Sequence, residues 1–240
     1  GKSVSQLLTT LGWIGEDNGG MVVRVISAVA CIGVFVALIK GATGLEKVSK
    51  VLFLFIVGVG AWMVYMLLTN QSDAIAAAKP AYSSGDPVWD YTTGIELGIV
   101  SLLSWWPYIG AMVRESPNAH TATLPSMLGM GLPVPLLSVI GLAAILALQA
   151  SDPSAWLIQL GGAFYGCIAL LFIIAANFGT AVAGVYATAV GLKQVPGLGR
   201  ASWSTMLLLG LVPVTVVGVF LPDLFFDNFG VFLAFIGVFF

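Results

Sequence analysis

A chain of 240 residues that is 59% apolar and only 8% charged is not an ordinary water-soluble domain, where roughly 45–50% and about 25% are usual. Its formal net charge of -2 and the lack of a basic stripe interleaved with aromatics exclude a nucleic-acid binder. The composition predicts an all-α, polytopic membrane protein, a single transmembrane domain over 1–240.

Residues 1–20 read as the end of a helix and a loop punctuated by Gly19 and Gly20. No charged-then-apolar leader precedes a small-residue cleavage site. Crossing the hydrocarbon layer takes about 20 apolar residues. The runs long enough, or nearly so, are 21–39, 48–68, 95–113, 124–148, 155–192, 203–221 and 229–240. The last stops at Phe240 without a polar flank, which predicts an internal piece of a longer protein. Between the second and third runs, 70–92 is rich in Ala, Ser, Gly and Asp with Pro80 and Pro87, and reads as a loop with room for one short surface helix. Cys31 and Cys167 each lie inside an apolar run and read as packing residues, not a disulfide or a metal pair.

Loop charge gives an orientation. Lys40, Lys47, Lys50, Arg114, Lys193 and Arg200 fall in one alternating set of loops, and Lys2, Arg24 and Lys79 in the other. An excess of Lys and Arg marks the cytoplasmic side, so the first run is expected to enter from outside. Trp89, Tyr91, Trp156 and Trp203 sit near expected helix ends, as interfacial aromatics do.

Two runs carry expected interruptions. The third contains S-W-W-P-Y-I-G over 104–110, where Pro107 removes a backbone donor and clashes with the carbonyl near Leu103. Freed backbone beside Trp105 and Trp106 suits a planar, hydrogen-bonding ligand; a simple Pro kink with two packed Trp rings is equally compatible. The fifth carries A-N-F-G-T-A-V-A-G over 176–184, with Asn177, Thr180 and Gly184. Asn and Thr inside a membrane need partners, whereas Gly179, Ala183 and Gly184 also fit a small-residue helix contact. Paired interruptions point to a transporter site, because non-helical backbone in lipid is tolerated only against protein or a cavity.

Glu96, at the outer start of the third run, reads as an interfacial or helix-end acid. His120 follows Pro117 and Asn118 in an expected cytoplasmic loop, and Arg114 with Glu115 reads as a helix-end pair. No catalytic triad, HExxH motif, Cys/His cluster or phosphate-binding loop is present, so the expectation is a non-enzyme without a metal or cofactor.

The stretch 96–119, with its S-W-x-P core, resembles the sixth helix of the nucleobase–cation symporters of the purine–cytosine permease, hydantoin and allantoin type. The stretch 177–192 is similar to their eighth helix, and G-A-T-G-L-E-K-V-S-K over 41–50 to the start of their fifth. The resemblance covers the chain from the end of family helix three through most of helix ten. It implies a fragment of a five-plus-five inverted-repeat fold with discontinuous helices. It also implies a permease in the plasma membrane, driven by H+ or Na+, with a small heterocyclic substrate. Ser104, Trp105, Trp106, Asn177, Thr180 and Gly184 would contribute to the substrate site, with Trp105 stacking on the ring. Ala111 stands where the family has an acid, while Arg114 keeps its place. A transporter of the same architecture for amino acids or other small solutes, and a helical membrane enzyme or assembly subunit, are the alternatives.

Overall fold

The computed structural model describes residues 2–15, 19–79, 83–103, 105–114, 116–148, 153–221 and 228. Among them there are helices and no strand: α1 (Lys2–Thr10), α2 (Gly19–Leu38), α3 (Ala42–Asn70), α4 (Ser72–Ala77), α5 (Pro87–Leu103), α6 (Trp106–Val113), α7 (Ala119–Gly131), α8 (Pro133–Leu148), α9 (Pro153–Leu192) and α10 (Trp203–Phe220). The seventh run, 229–240, lies outside the described residues, as does the side chain of Trp156.

Local chemistry explains several boundaries. Gly41, at φ 62°, turns the chain between α2 and α3, a conformation that costs other residues a steric penalty. Asn118 caps α7, its side-chain oxygen accepting from the Thr121 N–H at 2.9 Å, and Ser202 caps α10 by accepting from the Thr205 N–H at 3.2 Å. The fourth run is two helices rather than one. Pro133 opens α8 directly after Leu132, where its missing N–H costs least. The short helix anticipated between the second and third runs is α4, and α5 already begins at Pro87.

Five stretches are long and apolar enough to cross a membrane: Gly19–Leu38, Leu45–Asn70, Ala119–Leu148, Leu157–Leu192 and Trp203–Phe220. Only 6% to 28% of each spanning window is buried inside the chain. The exposed remainder is apolar, including Phe53, Leu54, Val139, Phe164 and Phe220, so its natural solvent is lipid. The described residues of the third run form α5, 17 residues, and α6, 8 residues, and are not in that set.

Packing is organised along α9. Its later half contributes Val182, Val185, Tyr186 and Ala189 to a cluster with Val34 and Leu38 of α2 and Met206, Leu207 and Leu211 of α10. Its earlier part contributes Leu157, Leu160 and Ala169 to a second cluster with Val59, Met63 and Leu67 of α3 and Ala144 of α8. Small residues allow these approaches: Gly179 faces Leu52 of α3, and Gly33 of α2 faces the Phe178 ring.

The break in the fifth run is not where the sequence reading put it. Residues 176–184 are regular helix, and the interruption is at Gly162, with φ 62° and ψ -169°. Polar side chains did not force a break because Thr180 satisfies itself, its hydroxyl donating to the Ala176 carbonyl at 3.1 Å. Gly162 forms a corner. A Cβ on Gly166 would stand 2.8 Å from Ile158 Cα, although eight positions along a straight helix separate residues by about 12 Å. Residues 153–161 therefore fold back against the turn that follows. Length carried the missed signal. A straight helix of 40 residues would be about 60 Å long, twice the roughly 30 Å hydrocarbon core, and Gly161-Gly162 is the punctuation within it.

Candidate functional site

The site is built from the start of α5 downward. Asp86 caps this helix, its Oδ1 accepting from the Val88 N–H at 2.9 Å. One turn on, the Asp90 carboxylate accepts from the Ser84 N–H at 2.9 Å and the Ser83 hydroxyl at 2.7 Å, tying the preceding loop to the helix. Hydrogen bonds from Ser84 and Ser83 hold the Asp90 carboxyl below the usual carboxylate range. A depressed acid stabilises the fold above its unfolded pKa and loses that contribution as pH falls through the lower folded value. Protection of the Ser84 amide from hydrogen exchange, corrected for intrinsic rate, should therefore be constant above about pH 4 and decline in stronger acid. Asp90→Asn should abolish that pH dependence; unchanged protection of the parent in strong acid would refute the tether.

α5 ends at Leu103, and Trp105 sits between the helices at φ -88° and ψ -8°. Its N–H donates to the Leu102 carbonyl at 3.1 Å, while its own carbonyl accepts from the Tyr108 and Ile109 N–H groups, both at 3.1 Å. Pro107 falls in the first turn of α6, where a helix tolerates a missing donor. The third run thus breaks at Trp105, as its sequence predicts.

The Trp105 and Tyr108 rings meet with centroids 5.3 Å apart and planes tilted by 54°. α6 packs on α9, and the contact is specific: a Cβ on Gly184 would be 3.2 Å from Tyr108 Cε1. Asn177, Thr180 and Gly184 recur at i, i+3 and i+7 and share one face of α9. Gly184 is seated against the aromatic turn, and Asn177 and Thr180 are exposed above it. Tyr108 therefore links the two, its ring meeting Trp105 and also the Gly184 position, with Asn177 and Thr180 on the same helical face as Gly184. Ser104 lies outside the described residues, as does the side chain of Trp106. Tyr108 is the residue that sequence reasoning passed over; its spacing of three from Trp105 was the available signal.

A larger side chain at position 184 must move that ring. Gly184→Ala is expected to be nearly neutral, the helix-propensity gain of about 1 kcal/mol offsetting a small ring shift. Gly184→Leu should cost about 1–3 kcal/mol by overpacking and alter Trp105 fluorescence, which thermal unfolding and emission spectra would read. Equal behaviour of the two variants would show that Gly184 is not the seat.

Glu96, Arg114 and His120 are all exposed, His120 in the first turn of α7, and Glu115 lies outside the described residues. Among the described residues no three His, Cys, Asp or Glu side chains gather as metal ligands. Two apolar grooves lie away from Trp105. One, about 340 Å³, runs between α3 and α9 beside Trp62 and Tyr165, whose rings stack 6.5 Å apart. The other, about 360 Å³, runs between α2 and α10.

Helical architecture and five membrane-length apolar stretches define the class: a multi-pass membrane protein. No protein-family model, curated protein or solved structure matches the chain.

Proposed function

We propose that the chain forms part of a secondary active permease for nucleobases or related heterocycles such as cytosine, purines, allantoin or hydantoin. It would reside in the cell membrane, with coupling to H+ or Na+ by alternating access. The observation that supports this reading is the turn between α5 and α6, where Tyr108, in ring contact with Trp105, packs on Gly184 of α9. The turn sets an aromatic ring near α9, whose Asn177 and Thr180 are exposed and carry polar side chains. A flat heterocycle needs both: a face to stack on and polar groups for its edge.

In this scheme Trp105 stacks on the ring, Tyr108 supports Trp105, and Asn177 and Thr180 offer polar atoms from α9. The substrate undergoes no covalent change. A cation that binds one conformation better than the other biases the access equilibrium by its differential affinity. The test is uptake of labelled cytosine, hypoxanthine, allantoin and hydantoin by cells making the protein, with and without Na+, at two external pH values. Saturable uptake of at least one is expected. Transport of none, by protein shown to reach the membrane, would end the proposal.

A further inference from the structure

We infer that the groove between α2 and α10, together with Lys40, Lys193 and Arg200 at one end of it, binds an anionic phospholipid. The two helices are joined at that end by the Trp203 indole N–H, which donates to the Leu38 carbonyl at 2.8 Å. Farther along, Gly218 of α10 lies across from Ser27 of α2, so the pair runs antiparallel. Between these points Ala28, Cys31, Phe35, Leu211 and Thr215 line the groove of about 360 Å³. Its walls are almost wholly apolar, and both helices belong to the set able to cross a membrane. An acyl chain is the occupant that such a groove meets in a bilayer.

Charge selects the headgroup. Lys40 stands two positions beyond Leu38, Arg200 three before Trp203, and Lys193 directly after Leu192, which packs into the same cluster as Leu38 and Trp203. All three cations are exposed. The connections 39–41 and 193–202 contain no acid, and Glu46, the nearest in sequence, is engaged by Lys50 at 2.6 Å. Three cations therefore stand at the same end of the helix pair, and among the described residues none of them forms an ion pair. Basic clusters at the ends of membrane helices attract anionic headgroups. The Trp203 ring, held by its N–H, suits the headgroup level. This inference is independent of what the protein transports.

The test uses the full chain, purified in neutral detergent and titrated with fluorescent phosphatidylglycerol or phosphatidylcholine. Phosphatidylglycerol should bind more tightly and lose affinity with salt. Lys40→Gln/Arg200→Gln should weaken it about thirtyfold, and each single change about fivefold; Lys79→Gln, in the other set of loops, should leave it unchanged. Ala28→Phe, which fills the groove, should weaken both lipids, and glycerol phosphate alone should not compete. The single variants keep the test open if the double variant does not fold. Equal binding of the two lipids, full affinity in the charge variants, or competition by glycerol phosphate at lipid concentrations would overturn the inference.

Discussion

Gly166→Ala should destabilise the protein by about 1–3 kcal/mol, even though Ala is the better helix former by about 1 kcal/mol. The added Cβ would lie 2.8 Å from Ile158 Cα and 3.1 Å from the Leu157 carbonyl oxygen. Both are backbone atoms, which cannot rotate aside. Leu157 and Leu160 are buried in the cluster that joins α9 to α3 and α8, so opening the corner also uncovers that core. Gly166→Leu should prevent the corner from closing. Gly141→Ala on α8, with open space around the added atom, is the matched control and should be neutral or stabilising. Thermal unfolding in detergent compares them, and similar melting temperatures for Gly166→Ala and Gly141→Ala would contradict the fold-back at Gly162.

The second large effect is on transport. Stacking of a base on an aromatic ring contributes about 1–3 kcal/mol when read by truncation to Ala, so Trp105→Ala should weaken substrate affinity by about 5- to 150-fold. Trp105→Phe keeps a ring and should retain most of it. Since the Trp105 ring also meets Tyr108, Tyr108→Phe separates packing from ligand contact: it preserves the ring and should leave affinity nearly intact. Uptake at graded substrate concentrations measures all three. An amino-acid carrier of the same architecture has no use for the stacking ring, and unaltered uptake by Trp105→Ala would favour that reading.

Much of the helical layout was legible because length and composition are strong signals. The run 21–39 became α2, Gly19–Leu38, and 203–221 became α10, Trp203–Phe220. Proline chemistry located the break at Trp105, where a lost donor and a steric clash are properties of the local chain. The break expected over 176–184 failed for an equally local reason: a Thr hydroxyl inside a helix can donate to the carbonyl four residues back, as Thr180 does, and leave the helix intact. The corner at Gly162 and the division at Pro133 were masked by continuous apolar sequence. Where every face is greasy, periodicity does not show which side packs on protein. The Tyr108–Gly184 contact joins α6 to α9, and no local pattern specifies that pairing. Its pieces were visible in the sequence, but their meeting was not.

The most direct measurement places one thiol on the face of α9 that carries Gly184. With Cys31→Ala and Cys167→Ala as background, Thr180→Cys is treated with a small, membrane-impermeant maleimide in protein reconstituted into nanodiscs. The expected result is reaction from the aqueous phase that slows severalfold when a transported nucleobase is present at saturation, and does not slow with an amino acid. A thiol that the reagent never reaches, or that reacts at the same rate with and without every heterocycle tried, would contradict a substrate site between Trp105 and α9.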